Sequence, residues 1–90
     1  MSDQDFQWKP GIPRWVQIYE LIRGRIESGE LAPGDQVPSV LQLQATYGIA
    51  TATGQKVHRA LRADRLVRTE PGMGSFVLSE AERATSPDQD

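Results

Sequence analysis

The sequence predicts a mainly α-helical domain in which three helices are followed by a small two-stranded β-hairpin. Two observations indicate this class. Apolar residues recur every three or four positions over two long stretches, as they do on amphipathic helices, and a turn rich in proline and glycine separates two short β-favouring runs near the end of the chain. A chain of 90 residues holds one such core, because chains of this size bury only about 60% of the surface that they expose when unfolded.

The first helix is predicted to begin at Pro13 and to end before Gly29. Proline suits the first turn, where its missing N–H is not needed, and glycine suits the left-handed residue after a helix. Residues 1–11 before the helix are mostly polar and end in Pro-Gly, so we expect a flexible N-terminal arm that is loose or only lightly docked. The apolar stripe of the helix consists of Trp15, Val16, Tyr19, Ile22 and Ile26.

A short second helix is predicted after a type II turn at Pro33-Gly34 and one extended segment, residues 35–38. Ser39 reads as the N-cap, and Gln42 stands three residues later, in the spacing of a capping box. Gly48 is the predicted left-handed cap. The predicted buried stripe of this helix is Val40, Leu43 and Tyr47.

The third helix is predicted from Ala50 to Asp64, and its two faces differ in chemistry. At about 100° per residue, the inward stripe contains Ala50, Gly54, Val57 and Leu61. The opposite face has short residues near its start and basic ones toward its end, namely Thr51, Ala52, Gln55, Arg59 and Arg62. Lys56 and His58 stand on the flanks. A charged, solvated face is common on surface helices, but here no acid interrupts it before Asp64.

The predicted hairpin places strands 66–69 and 75–78 on either side of the turn 70–74. Two glycines in that turn let the backbone approach another surface closely, although hairpin tips are also rich in glycine for conformational reasons alone. A helix, a glycine turn, a second helix and a hairpin form the plan of a winged helix-turn-helix, in which one helix enters the DNA major groove. The folded domain is predicted to span residues 12–78, followed by a disordered acidic tail, residues 79–90.

The charge distribution favours a nucleic-acid partner more than the net charge of -2 does. Residues 1–55 hold four basic and six acidic side chains, residues 56–68 hold five and one, and residues 69–90 hold one and five. The local net charges are therefore -2, +4 and -4. Half of the basic residues fall in one stretch of the third helix and the first strand, where they can meet phosphates.

The composition argues against several other classes of protein. The chain has no cysteine, which excludes a disulfide scaffold, a thiolate zinc site and a thiol nucleophile. No apolar run approaches the ~20 residues of a membrane span, and the N-terminus is acidic where a signal peptide is basic, so we expect a cytoplasmic protein without a membrane partner. The acids are scattered singly and no phosphate loop is present. We therefore expect no enzyme, no metal and no cofactor.

Residues 13–78 resemble the DNA-binding domain of the GntR (gluconate repressor) family of bacterial transcription regulators. Several short segments carry the resemblance together: Ile26–Gly34, Val37–Ser39, Tyr47–Ile49, Ala52-Thr53, Gln55-Lys56, Leu61–Asp64, Leu66-Val67 and Pro71–Val77 with its Pro-Gly-x-Gly-Ser-Phe-Val pattern. The resemblance implies a winged helix-turn-helix that binds double-stranded DNA as a transcriptional regulator, most simply a repressor.

The resemblance also implies roles for particular residues. It implies that Ser39 caps the second helix near a phosphate, that Thr51, Thr53, Gln55 and Lys56 face DNA, and that the wing tip lies along the minor groove. Gln can pair with adenine, and Lys with guanine or a phosphate. With the outer face of the third helix, the predicted DNA-binding residues are Ser39, Thr51, Ala52, Thr53, Gln55, Lys56, Arg59, Arg62, Gly72, Met73, Gly74 and Ser75.

The chain departs from the family pattern at positions that usually contact DNA. Val40 and Leu41 stand where family members usually have Glu and often Arg. Thr51 stands where Arg is common, and Met73 stands where the wing usually carries Arg or Lys. Ala50 replaces a capping Ser, a loss of ~1 kcal/mol unless Thr51 caps instead. Arg65 replaces a turn Gly, so the turn either avoids a positive φ or carries strain. These changes predict weaker phosphate binding or an altered sequence preference.

Assembly and alternative functions stay open at this point. Only twelve residues follow Leu78, so we expect no small-molecule effector domain. A homodimer can form through the apolar residues Phe6, Trp8 and Trp15 or only on DNA, whereas Trp15 can equally be a core residue covered by Trp8. The alternative functions are a winged-helix module that docks on other proteins and a DNA-binding accessory protein without sequence preference.

Overall fold

Three helices and a hairpin form the body of the domain in the computed structural model, which describes residues 7–84. This is the predicted fold class, with one short helix added at the end. No helix in that part of the chain has the length and hydropathy needed to cross a membrane. The elements in chain order are α1 (Arg14–Ser28), α2 (Val40–Tyr47), α3 (Thr51–Ala63), β1 (Val67–Glu70), β2 (Gly74–Val77) and α4 (Glu80–Ala84).

The core lies between α1, α2 and α3, with α3 at its centre. Helix α3 packs against both of the other helices and against β1. Three members of the predicted inward stripe, Gly54, Val57 and Leu61, are buried, whereas the fourth, Ala50, is exposed at the N-cap position. The largest fully buried side chains of the domain are Ile18, Ile22, Val37, Leu43, Val57, Leu61 and Val77.

Local signals fix the ends of α1 and α2 where the sequence predicts them. Gly29 and Gly48 are both left-handed, with φ of 88° and 67°. Ser39 and Gln42 form a complete capping box: the Ser39 hydroxyl accepts from the Gln42 amide at 3.0 Å, and the Gln42 side chain accepts from the Ser39 amide at 2.8 Å. Two donors that helix formation would leave without partners are thereby satisfied.

Helix α3 begins without a side-chain cap. Ala50 occupies the N-cap position and offers no hydrogen-bonding group, and Thr51 does not replace it. Instead, the Thr51 hydroxyl accepts a hydrogen bond from the Gln44 amide group at 3.0 Å, which links the end of α2 to the start of α3. The start of α3 therefore keeps backbone N–H groups directed out of the helix.

Helices α2 and α3 approach closely at Gly54. A Cβ atom at this position would lie 2.9 Å from Cγ1 of Val40, nearer than carbon atoms pack in folded proteins. The absence of a side chain at Gly54 therefore sets the distance between the two helices of the helix-turn-helix.

Strands β1 and β2 form an antiparallel hairpin, hereafter the wing, in which Val67 pairs with Val77 and Glu70 with Gly74. The strands run at 67–70 and 74–77, one residue from the predicted 66–69 and 75–78. The predicted extended segment before α2 pairs with the outer side of β2 through a bridge between Gln36 and Phe76. The Val37 amide donates to the Ser75 carbonyl at 2.9 Å. The wing is therefore attached to the loop before α2 as well as to α3.

The predicted flexible arm, residues 1–11, is held against α1 along its described part. The Gln17 side chain accepts from the Lys9 amide at 2.8 Å and donates to the Lys9 carbonyl at 3.0 Å. The Trp8 ring lies 6.2 Å from that of Tyr47 on α2. A polar stretch is fixed here because one buried glutamine satisfies its backbone. Residues 1–6 lie outside the described part of the chain.

The predicted disordered tail, residues 79–90, instead begins with α4. Ser79 and Glu82 form a second capping box, with bonds of 3.1 and 2.9 Å. Arg65 reaches the other end of the helix and donates to the Glu82 carbonyl at 2.8 Å. These bonds compensate for the lack of large apolar residues, so the expectation of disorder from residue 79 onward is corrected. Residues 85–90 lie outside the described part of the chain.

Arg65 carries the positive φ that the sequence left as one of two alternatives. Its φ is 57°, the single positive value at a non-glycine residue in the described part of the chain. The Leu66 amide donates to the Leu61 carbonyl and the Arg65 amide to the Arg62 carbonyl, each at 3.0 Å. This is the bonding of a Schellman motif, in which the left-handed position usually holds glycine.

Candidate nucleic-acid interface

The outer face of α3 is exposed and basic. Thr51, Ala52 and Gln55 are all exposed in its first half. Among residues 7–84, none of Lys56, Arg59 and Arg62 lies in an ion pair with a carboxylate. Three other arginines differ: Arg23, Arg25 and Arg68 each pair with a nearby glutamate. The positive charge of α3 is therefore available to an external anion.

An open groove of about 700 Å³ separates this face from the wing. One wall is α3, the other is the wing tip, and the N-terminal end of α2 closes one side. The groove brings together eight of the twelve predicted site residues: Ser39, Gln55, Arg59, Arg62, Gly72, Met73, Gly74 and Ser75. Residues that are far apart in sequence therefore share one concave surface.

The other four predicted residues lie outside the groove. Thr51 and Ala52 occupy the exposed first turn of α3, while Thr53 is half-buried and its amide donates to the Ala50 carbonyl at 3.1 Å. Lys56 lies on the α1 side of α3, where it lines a shallow hollow with Trp15 and Arg59. Lys56 and Arg62 therefore line different hollows of the surface.

The wing tip is a tight turn with an apolar side chain at its end. Gly72 and Gly74 have φ of 77° and 123°, which side chains rarely permit. Met73 between them is 68% exposed. Both backbone polar groups of Met73 are hydrogen-bonded: the amide donates to the Glu70 carbonyl at 2.9 Å, and the carbonyl accepts from the Gln36 side chain at 3.1 Å. The tip therefore presents methionine from a defined backbone.

The start of α2 forms the third side of the groove. The Ser39 hydroxyl is engaged in the capping box, so its contribution to an anion site is to order the first turn of the helix. Helix geometry leaves the amides of Val40 and Leu41 without intrahelical acceptors. Leu41 is 75% exposed beside them. An anion here would meet a helix N-terminus and an apolar side chain.

Ser75 is the predicted site residue that the structure turns away from the surface. It is only 3% exposed, because its position in β2 directs its side chain toward α3. Its hydroxyl lies 3.1 Å from that of Thr69 and 3.4 Å from Nδ1 of His58. The prediction that Ser75 contacts DNA along the wing is therefore corrected for the side chain.

His58 is the residue whose position sequence reasoning missed. Helical periodicity places it on a flank of α3 and gives no sign of burial. The wing covers it, leaving it 8% exposed at the floor of the groove, with Nε2 donating to the Pro38 carbonyl at 2.7 Å. No local pattern signals this burial, because the covering strand lies 17 residues further along the chain.

Comparison with known proteins gives one consistent family. Residues 15–77 match the model of the family described as bacterial regulatory proteins, gntR family. The mannosyl-D-glycerate transport/metabolism system repressor MngR of Escherichia coli is 34% identical over 68 residues, 76% of this chain and 28% of that protein. The HTH-type transcriptional regulator YhcF of Bacillus subtilis is 31% identical over 78 residues, 87% of this chain and 64% of that protein. The chain thus spans less than two thirds of either relative.

Solved structures agree with these matches. The DNA-binding domain of AraR, crystallised in complex with operator ORE1, superposes with a TM-score of 0.71 at 27% identity, covering 81% of this chain and 94% of that one. A GntR family transcriptional regulator from Listeria monocytogenes gives a TM-score of 0.77 at 24% identity, covering 84% of this chain and 67% of that one. The second likeness concerns the fold alone, and it confirms the winged helix-turn-helix.

Proposed function

Since the chain belongs to the gntR family of bacterial regulatory proteins, we propose that it is a sequence-specific DNA-binding transcriptional regulator with α3 in the major groove and the wing along the minor groove. One observation carries this proposal. The outer face of α3 holds three cations without carboxylate partners among residues 7–84, and it shares a groove with the wing tip. The AraR domain that the fold matches is bound to an operator. Membership in a family of regulators also agrees with the expectation that the chain is not an enzyme.

The roles of the α3 residues follow from their length and position. Gln55 is exposed on the groove side and can pair with an adenine edge, and Ala52 offers a methyl group for contact with thymine. Arg59 and Arg62, one and two turns further along, are long enough to reach phosphates on the strands beside the major groove. Lys56 reaches the other phosphate strand, since it faces the α1 side. Thr51 and Thr53, which lie at the start of α3, contact the phosphate backbone of the DNA.

The wing contributes through its backbone and through Met73. We propose that the tip residues, Gly72 to Gly74, approach the minor groove closely, since glycine removes the side chains that would block contact. Methionine adds apolar surface without a charge, so the side chain at the wing tip neutralises no phosphate. The DNA-binding unit spans residues 12–78, with residues 7–11 and α4 packed against it.

We propose that the regulator acts as a repressor on two half-sites. The E. coli relative is named a repressor, and a bound domain that covers a promoter blocks transcription without a further partner. Trp8 already packs on Tyr47 and Trp15 on Tyr19, so less of their apolar area is free for an arm-mediated dimer. Two copies therefore meet on DNA, where adjacent half-sites supply the effective concentration.

Selection of bound sequences from a random double-stranded DNA pool tests the proposal. At ~150 mM salt, nonspecific phosphate binding is largely suppressed. An enriched inverted repeat is the expected result, and a single enriched half-site would contradict the proposed pair of copies but not sequence-specific binding. Recovery of no preferred sequence would overturn the proposal in favour of protein docking or nonspecific binding.

A further inference from the structure

Four side chains cross the floor of the groove in one continuous line of hydrogen bonds. The line begins at the Pro38 carbonyl, passes through His58, Ser75 and Thr69, and ends at the Arg62 guanidinium. We call His58, Ser75, Thr69 and Arg62 the groove-floor network. The network joins three elements that the function needs together: the loop that leads into α2, helix α3 and the wing.

With a neutral His58 ring, the chemistry of the two ends sets the direction of every bond. A carbonyl oxygen only accepts, so His58 must carry a proton on Nε2, 2.7 Å from the Pro38 oxygen. In the neutral ring, Nδ1 is then an acceptor, and the Ser75 hydroxyl donates to it at 3.4 Å. The Ser75 oxygen is left to accept from the Thr69 hydroxyl at 3.1 Å.

The last bond reaches the surface. With its hydrogen directed to Ser75, the Thr69 oxygen presents lone pairs toward α3, and Nη1 of Arg62 donates to it at 3.4 Å. Arg62 has no carboxylate partner among residues 7–84. Without Thr69, its long side chain would sample many rotamers in solvent, and binding a phosphate would cost that freedom.

We propose that the groove-floor network positions Arg62 for a DNA phosphate, with His58, Ser75 and Thr69 acting as positioning residues that do not touch DNA themselves. The inference rests on the proposed function and adds the means by which the wing and α3 act together. It also assigns a role to Ser75, whose buried side chain cannot contact DNA directly.

Thr69 offers the sharpest test, because it is exposed and its replacement leaves the core intact. Thr69→Val keeps the shape of the side chain and removes the hydroxyl, whereas Thr69→Ser keeps the hydroxyl. We expect Thr69→Val to weaken binding to the selected sequence roughly fivefold. The plot of log K against log salt, whose slope is negative, should become less steep by about 0.9, the value for one lost phosphate contact. Thr69→Ser should retain the wild-type slope.

A double-mutant cycle separates positioning from a general loss of stability. Thr69→Val should have no added effect on the salt slope when Arg62 is already Ala, because both changes remove the same contact. Ser75→Ala should act like Thr69→Val. Val77 lies in β2 with Ser75 and is also buried, so Val77→Ala is the control: it should lower the melting temperature and leave the salt slope unchanged. Additive slopes for Thr69→Val and Arg62→Ala, or an unchanged slope in Thr69→Val, would overturn the inference.

The single histidine of the chain gives a second readout that needs no DNA. Long-range proton–nitrogen NMR correlations identify which ring nitrogen of His58 carries the proton, and the network requires the Nε2–H form. Observation of the Nδ1–H form would overturn the donor order. Failure of the proposed function is distinguishable from both results, because it would appear as a wild-type protein that selects no sequence.

Discussion

The Tyr19 hydroxyl on α1 donates a hydrogen bond to the Asp64 carboxylate at the end of α3, 45 residues later in the chain. Burial, and secondly this bond to Asp64, raise the pKa of Tyr19 to about 12 from its ordinary value of 10.0. The two helices that carry most of the core are thus also joined by a titratable group.

The raised pKa predicts a loss of stability in alkali. The folded protein holds the Tyr19 proton more tightly than the unfolded chain, so the stabilising contribution is complete below pH 10.0 and is lost as the pH rises toward 12. Tyr19→Phe should lower the free energy of unfolding by about 1 kcal/mol at neutral pH and flatten its decline in alkali. Urea unfolding at a series of pH values measures both.

Asp64→Asn serves as a partial control, since burial is the larger cause of the raised pKa of Tyr19 and part of the decline in stability should persist. An equal decline in wild type and Tyr19→Phe would contradict the assignment.

A side chain at Gly54 should separate α2 from α3. Gly54→Ala gains about 1 kcal/mol of helix propensity, but its Cβ would meet Val40, and overpacking of this kind costs about 1–3 kcal/mol. We expect a net loss of about 1 kcal/mol, seen as a lower urea midpoint at constant slope. Val40→Ala in the Gly54→Ala background should recover the loss. A Gly54→Ala protein that is more stable than wild type would show that Val40 moves aside freely.

Arg65 combines backbone strain with a bond to α4, and two substitutions separate them. Arg65→Ala removes the bond and keeps the left-handed residue non-glycine, whereas Arg65→Gly removes both. We expect the glycine variant to be more stable than the alanine variant by about 1 kcal/mol, the cost of a side chain in that conformation. Amide exchange in α4 should accelerate equally in both. Equal stability of the two variants would mean that the turn at residue 65 relaxes.

Gln55 and Arg62 should respond to different properties of the DNA. Gln55→Ala should relax the preference at one base pair by about 1–3 kcal/mol and leave other positions unchanged. Arg62→Ala should weaken all sequences alike and lower the salt slope by about 0.9. Binding measured on the selected site, on single-base variants and at several salt concentrations distinguishes the two. A uniform effect of Gln55→Ala on every sequence would remove Gln55 from base readout.

The exposed methionine of the wing predicts a gain in affinity on adding charge. Met73→Lys should place a cation beside the minor groove and raise the salt slope by about 0.9, with tighter binding to every sequence. Met73→Gln, which is polar but uncharged, is the matched control and should leave the slope unchanged. An unchanged slope in Met73→Lys would place the wing tip away from the DNA backbone.

Most elements with local signals were predicted correctly from the sequence. The capping box of Ser39 and Gln42, the left-handed glycines after α1 and α2 and the burial of Gly54, Val57 and Leu61 all depend on residues within one or two turns of each other, and all are present. Helix α4 had such a signal as well, because Ser79 and Glu82 stand in capping-box spacing. The prediction of disorder used the composition of the tail and not that signal.

The candidate site was predicted as a set of residues but not as an arrangement. Helical periodicity identifies the face of α3 that carries Gln55, Arg59 and Arg62, since one helix determines it. The burial of Ser75 and His58 depends on how the wing packs on α3, and no spacing within either element encodes that packing. Contacts between distant segments are where a single sequence gives least information.

The pairing of residues 34–37 with β2 has a consequence for the order in which the domain forms. The Gly34 amide bonds to the Val77 carbonyl, and the Val77 amide bonds back to the carbonyl of Asp35, both at 2.8 Å. These bonds close a loop of more than forty residues. Closing it is slow, because the chain loses conformational entropy before the contacts that stabilise the closed loop have formed. During synthesis, the helices can therefore emerge from the ribosome and collapse early. The turn that leads into α2 stays unfinished until the last strand has been made.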